Sequence, residues 1–164
     1  MSLLKRFAQG NWRMFSAGAA ALLIASAFQA SLAGRPAAED PWRPGDVLTP
    51  KQLDASLHAA KKPVVVSVGF ESLFKSSHIP GAVYKGPGKD AEGIESLKAW
   101  ARNLDRKSEI VLYCGCCPWK QCPNIRPAFA ALKAMGFTRL KVMDIEQDFP
   151  TDWVKQGYPT ENGK

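Results

Sequence analysis

The chain has 164 residues, 46% of them apolar, which is enough for one ordinary core plus a short leader and too little for two full domains. Lys and Arg number 22 against 15 Asp and Glu, a net charge of +7, but the bases are interleaved with acids along most of the chain. That is a solvated surface rather than a basic stripe, so no nucleic-acid partner is expected.

Residues 1–33 carry Lys5, Arg6 and Arg13 and no acid, followed by the uncharged apolar run "AGAAALLIASAF". The run is shorter than the ~20 residues of a membrane span. With small residues at Ser31 and Ala33 it reads as a secretory signal peptide with a mature start at Gly34. An uncleaved anchor is the alternative, and only then is the membrane a partner. Export places the protein in the periplasm or outside the cell, where unprotected thiols tend to oxidise.

Residues 34–46, rich in Pro, Gly and charge, read as a linker, and the domain is expected over 47–160 with a tail at 161–164. Val47 and Leu48 suggest a short edge strand. Thr49, Pro50 and Gln52 punctuate a helix start, with Thr49 as N-cap and Gln52 closing a capping box. His58 on that helix reads as a surface or packing residue. "PVVVSVGF" is an apolar, β-branched run without alternation, the pattern of a strand covered on both faces. A turn at Pro80-Gly81 leads into a short strand ending near Tyr84. Ile94, Leu97, Trp100, Ala101 and Leu104 recur at helical spacing, one face for packing on a sheet. "EIVLY" is a second apolar strand, and it ends at Cys114. "NIRPAFAALKAMGF" predicts a helix stopped by Gly136, "RLKVMDI" a strand, and "FPTDWVKQGYP" a short closing helix. Apolar strands alternating with helices imply an α/β layer fold with a mostly parallel central sheet flanked by helices.

All four cysteines, Cys114, Cys116, Cys117 and Cys122, fall within nine positions. A disulfide framework spreads its cysteines, whereas a chemical site gathers them. Cys114 stands where a buried strand reaches the carboxyl edge of the sheet, the edge at which open α/β folds bind ligands. Cys122 and Pro123 are expected near the start of the next helix, whose free amides lower a thiol's pKa and hold anions.

On these residues the chain resembles a known family. "SHIPGA" at Ser77 to Ala82 is similar to the Gly-His-Ile-Pro-Gly-Ala signature of rhodanese-like domains. "IVLYC" resembles their active-site strand and nucleophilic cysteine, and "LKAMGF" and "DWVKQGYP" resemble later segments of the same family. The resemblance implies a sulfurtransferase in which Cys114 accepts sulfane sulfur from a small donor anion as a persulfide and passes it to a thiol or other nucleophile. It implies that the loop amides from Gly115 onward cradle the charged sulfur, and Trp119, Lys120 and Arg126 are candidates to contact the donor. Cys116, Cys117 and Cys122 would be accessory thiols. No cofactor is expected on this reading. The family's Asp-x-Arg falls on Ser67 and Gly69, and its compact active-site loop is here several residues longer.

Two other chemistries fit the same four cysteines. Cys114 and Cys117 form a C-x-x-C, which a thiol–disulfide oxidoreductase could cycle with a redox partner protein. The thiolates could also hold a soft metal ion such as copper or zinc. The C-x-C-C-x4-C spacing is cramped beside ordinary zinc knuckles. A structural alternative has the cysteines bridged to pin a surface loop, although adjacent Cys116 and Cys117 would bridge each other only with strain.

Overall fold

A computed structural model describes residues 40–163 of the chain. The expected signal peptide or anchor, and residues 34–39 of the expected linker, lie outside the described residues. Among those described, no helix is long and apolar enough to cross a membrane.

Nine regular elements follow one another: β1 (Val47–Leu48), α1 (Pro50–Leu57), β2 (Val64–Ser67), α2 (Glu71–Ser76), β3 (Val83–Tyr84), α3 (Ala91–Ala101), β4 (Glu109–Tyr113), α4 (Ile125–Ala134) and β5 (Arg139–Met143). A 3-10 turn precedes them at Pro44–Asp46 and a π-helical turn follows at Pro150–Val154. The strands make one sheet in the order β1-β5-β4-β2-β3, and every pairing is parallel.

Side-chain alternation divides the core between the two faces of that sheet. Val66, Val68, Ile110, Leu112, Leu140 and Val142 pack under α3 and α4 with Leu97, Ile125, Phe129 and Leu132. Val65, Val111, Tyr113 and Met143 face the other way, onto Leu53 of α1, Phe149 and Trp153. Both faces are therefore covered, as the unbroken apolar strands predict. Position 114 continues the first series, so Cys114 is delivered to the α4 side.

Local punctuation agrees with the sequence. The Gln52 amide donates to Thr49 Oγ1 at 3.2 Å and the Thr49 amide to Gln52 Oε1 at 2.8 Å, completing the capping box. Gly136, with φ +89°, ends α4 in the left-handed conformation that side-chain-bearing residues avoid. His58 is exposed, 3.7 Å from Asp54. His78 is buried, stacked on Phe74, with Nδ1 2.8 Å from the Phe74 carbonyl oxygen, a turn-shaping role. Trp100 is half-buried against the first core.

Three segments differ from the sequence reading. Helix α2 has only six residues, too few for a period to show. The expected linker is seated on the domain from Asp40 onward. Trp42 is only 7% exposed and packs edge-on against Phe129 at 5.4 Å and beside Trp119 at 5.6 Å. Polar composition hid this, because one large aromatic suffices to anchor a short strap. The expected tail is also tied down: Glu161 and His78 exchange backbone hydrogen bonds of 2.8 Å, and the Gly163 amide donates to the Lys75 carbonyl.

Truncating Trp42 to alanine should cost about 3 kcal/mol, the lower end for an aromatic lost from a core. Urea unfolding of the variant measures it; a change near zero would return residues 40–46 to linker status.

Candidate functional site: a four-thiol cluster at the sheet edge

Strand β4 lies between β2 and β5, and its last residue hands the chain to Cys114 at the carboxyl edge. From there the loop runs through a 3-10 turn at Trp119–Gln121 to the N-cap of α4 at Asn124. The loop is fastened at several points. The Trp119 amide donates to the Ile145 carbonyl at 2.8 Å, and the Phe149 amide to the Gly115 carbonyl at 3.2 Å. Gly115 lies so close to Phe149 that a Cβ would stand 2.7 Å from that ring's own Cβ.

The loop folds its four thiols onto one another. Cys116 Sγ is 3.2 Å from Cys114 Sγ and 3.3 Å from Cys117 Sγ. Cys114, Cys116 and Cys122 have all three sulfurs within 4.8 Å of one another. Cys114 and Cys122 are 2% and 1% exposed, whereas Cys116 and Cys117 are half-buried. All four are free thiols.

Asn124 is the residue that sequence reasoning missed. An asparagine before a helix normally caps it through its side chain. Here the carboxamide, fully buried, makes no cap bond. Its Oδ1 accepts from the Lys89 amide at 3.0 Å, which turns Nδ2 toward the sulfurs, 3.4 Å from Cys114 Sγ and 3.9 Å from Cys116 Sγ. The helix start is served instead by Cys122, whose sulfur accepts from the backbone N–H groups of Asn124 and Ile125. The available signal was an Asn two residues after the last cysteine, and it reads identically as an ordinary cap.

These contacts decide where negative charge settles. Its nearness to the Cys114 thiol, together with the two helix-start amides, brings Cys122 down to about 6 against the burial that opposes it. Cys114 is driven far above the usual thiol range, by its interaction with Cys122 first and by burial second. Burial, then the Cys116 thiol, pushes Cys117 up to about 12. Within the cluster, then, Cys122 at the helix start is the thiol that is lowered, and Cys114 and Cys117 are those that are raised.

The remaining site candidates have structural neighbours. Arg126 reaches Asp40 Oδ1 through Nε at 2.9 Å and Nη2 at 2.6 Å, while its Nη1 donates to the carbonyls of Trp119 and Cys122. It staples the loop to the N-terminal strap. Lys120 is exposed and shares a cleft with Asp144 and Glu146. Trp119 is half-buried and leans on Trp42. Ser67 is the last residue of β2 and Gly69 follows it; a Cβ on Gly69 would stand 3.2 Å from Cys114 Sγ, so a side chain there would press on the thiol. The space between Gly69, Gly115, Ser67, Tyr113 and Phe149 amounts to about 10 Å³, room for roughly one water.

Residues 49–145 match the family described as the rhodanese-like domain. The chain belongs to that family. Three solved structures show the same fold at low sequence identity. The rhodanese-like domain of the Alr3790 protein from Anabaena sp is 20% identical, covering 71% of this chain and 79% of that one, with a TM-score of 0.51. The polysulfide-sulfur transferase homodimer from Wolinella succinogenes is 20% identical over 71% of this chain and 77% of that one, TM-score 0.51. A thiosulfate sulfurtransferase from Pseudomonas aeruginosa is 24% identical over 72% of this chain and only 19% of that one, TM-score 0.51. No curated protein matches the chain. The chain thus carries a rhodanese-like domain, related to sulfurtransferases, with a cysteine-rich loop whose thiols form a tight cluster.

Because the Cys122 pKa is depressed when folded, the stability it contributes is present above the unfolded thiol value of ~8.5 and lost as pH falls through about 6. Cys114 and Cys117 are raised, so stability should decline again above ~8.5, where the unfolded thiols ionise first. Urea midpoints of the reduced protein should therefore rise between pH 6 and ~8.5 and then fall. In Cys122→Ser the rise should disappear; an unchanged profile would remove Cys122 as the site of charge.

Proposed function

We propose that this domain uses the rhodanese frame to hold a soft, thiophilic metal ion of the copper(I) type on Cys114, Cys116 and Cys122. The observation that carries the reading is the mutual approach of these three sulfurs to within 4.8 Å, two of them buried. An ion bonded to three sulfurs at ~2.3 Å holds them ~4 Å apart, so the site forms by small side-chain rotations. Soft thiolate ligands select copper(I), zinc and iron–sulfur clusters. A structural zinc site asks for four ligands, and neither Cys117 nor either histidine belongs to the group. Three thiolates around a monovalent ion keep net negative charge in a buried place. The Asn124 carboxamide and the amides of Cys116, Asn124 and Ile125 are the dipoles that offset it.

The surroundings of Cys114 favour this reading over transfer from an anionic donor. Its sulfur is 2% exposed, and the cations expected to attract a donor are turned to Asp40 or to the Asp144 cleft. If residues 1–33 export the chain, as their composition suggests, a bound ion would further shield the thiols from oxidation.

Sulfur transfer through Cys114 is the second reading, favoured by family membership and by the polysulfide-sulfur transferase likeness. Its partners would be a small sulfur donor and a thiol acceptor. Cys116, 3.2 Å from Cys114, would attack the inner sulfur of a Cys114 persulfide, forming the Cys114–Cys116 disulfide as the S–S bond breaks and hydrogen sulfide leaves.

One experiment separates the two. The reduced full chain, free of oxygen, is titrated with copper(I) against a competing chelator, and a second sample is given thiosulfate and analysed by intact mass and peptide mapping. The metal reading expects one ion per chain in the wild type and loss of that ion in Cys114→Ser, Cys116→Ser and Cys122→Ser. A cyanide-reversible gain of one sulfur atom on the Cys114 peptide, with no copper retained, would replace it by the sulfurtransferase.

A further inference from the structure

We infer that Cys114 and Cys116 are a redox pair, which a small-molecule disulfide closes directly into a reversible Cys114–Cys116 bridge that switches the site off. The inference rests on the thiols themselves and needs neither a bound ion nor a persulfide. Motif spacing points to a different pair, the C-x-x-C of Cys114 and Cys117. The folded loop selects otherwise. Cys116 Sγ stands 3.2 Å from Cys114 Sγ, whereas Cys117 is not in the group of three sulfurs that lie within 4.8 Å of one another. All four are free thiols.

The rival bridges are each disfavoured by geometry or access. Cys116 also has Cys117 at 3.3 Å, but the two are consecutive. Consecutive Cα atoms stand ~3.8 Å apart across a trans peptide, below the ~4.4 Å at which ordinary disulfides begin. A Cys114–Cys122 bridge would join thiols that are 2% and 1% exposed, so neither sulfur is open to an oxidant. Cys114 and Cys116 have Gly115 between them, and their sulfurs need approach by only ~1 Å to reach bonding distance. One of the two, Cys116, is half-buried and can be met from outside.

The pair is held ready by its neighbours. The Gly115 carbonyl accepts from the Phe149 amide at 3.2 Å, and a Cβ on Gly115 would stand 2.7 Å from Phe149 Cβ, so the middle residue is pinned. Asn124 Nδ2 lies 3.4 Å from Cys114 Sγ and 3.9 Å from Cys116 Sγ. A donor facing both sulfurs favours the electron-rich reduced pair over a bridge. Stabilising the reduced form makes a disulfide easier to reduce, which suits a switch rather than a permanent staple.

Closure is two exchanges in sequence. The Cys116 thiolate attacks the incoming disulfide, a Cys116 mixed disulfide forms, and one small thiolate leaves. Cys114 then attacks the Cys116 sulfur, the bond to the small molecule breaks, and a second small thiolate leaves. Two protein thiols are oxidised, one external disulfide is reduced to two thiols, and those thiols carry off the two protons. A mixed disulfide on Cys117, equally half-buried, has only the consecutive Cys116 as its short contact and reverts by exchange. Once bridged, Cys114 serves neither as ligand nor as nucleophile.

The test exposes the reduced, metal-free full chain to glutathione disulfide without oxygen. Free thiols are then alkylated, and intact mass and fragmentation of the cysteine peptides locate the bridge. The expected product has lost two hydrogen atoms, recovers them with dithiothreitol, and is alkylated at Cys117 and Cys122 alone. Cys117→Ser should close at the wild-type rate, and Cys116→Ser should close at least about tenfold more slowly, having lost the adjacent partner. Cys116→Ala is carried beside it should the serine disturb the loop. A bridge that includes Cys117 or Cys122, a mixed disulfide that persists, or no loss of hydrogen would each overturn the pair. The wild-type map decides this without the variants, and it leaves the copper(I) and thiosulfate experiments to be judged separately.

Discussion

The carboxamide of Asn124 ties together the parts on which the site depends. One end accepts the Lys89 amide from the loop between β3 and α3, and the other donates to Cys114 and Cys116. Its own backbone carbonyl presses so closely on Gly88 that no side chain fits there. The cysteine loop and the loop before α3, 35 residues apart in sequence, are thereby held at one buried point. A buried amide is costly unless both ends are satisfied, so this bond pattern is demanding as well as stabilising. Because the oxygen is claimed by a backbone N–H, the nitrogen has to face the sulfurs. The donor that meets the cluster is thus set by a contact on its far side.

That arrangement changes what the sheet edge can do. A parallel sheet with covered faces exposes its chemistry where strands end, and β4 ends at Cys114. In this chain the edge is roofed. The lengthened loop turns back over Cys114, Phe149 closes against Gly115, and Arg126 binds the loop to the strap through Asp40. Trp42 and Trp119 seal the outer side. The result is a closed nest of thiols. Burial raises Cys117, and the nearness of the Cys114 thiol, with the amides at the start of α4, lowers Cys122.

The differences among four chemically identical side chains follow from depth, from amides and from the thiols' nearness to one another. Cys114 inherits the strand end, Cys122 the helix start, and Cys116 the gap between them. Cys117, next in the chain to Cys116, lies outside the group of three. The same residue type thus occupies four electrostatic environments within nine positions.

Much of this was legible in the sequence, and the limits have physical causes. Apolar runs without alternation announced the covered parallel strands, and Thr49, Pro50, Gln52 and Gly136 marked helix ends, because those signals arise from backbone chemistry within a few residues. The gathering of the cysteines at the end of a buried strand was likewise a local fact. Helix α2 was invisible because six residues hold no period. The packing of Trp42 and the docking of Glu161 depend on partners dozens of residues away, and composition says nothing of partners. Sequence places a helix start after Cys122, but only the folded loop decides that Cys122 accepts its amides while Asn124 turns from capping to face the sulfurs. Hydrogen-bond donors are chosen in three dimensions, and the chain alone supplies just the candidates.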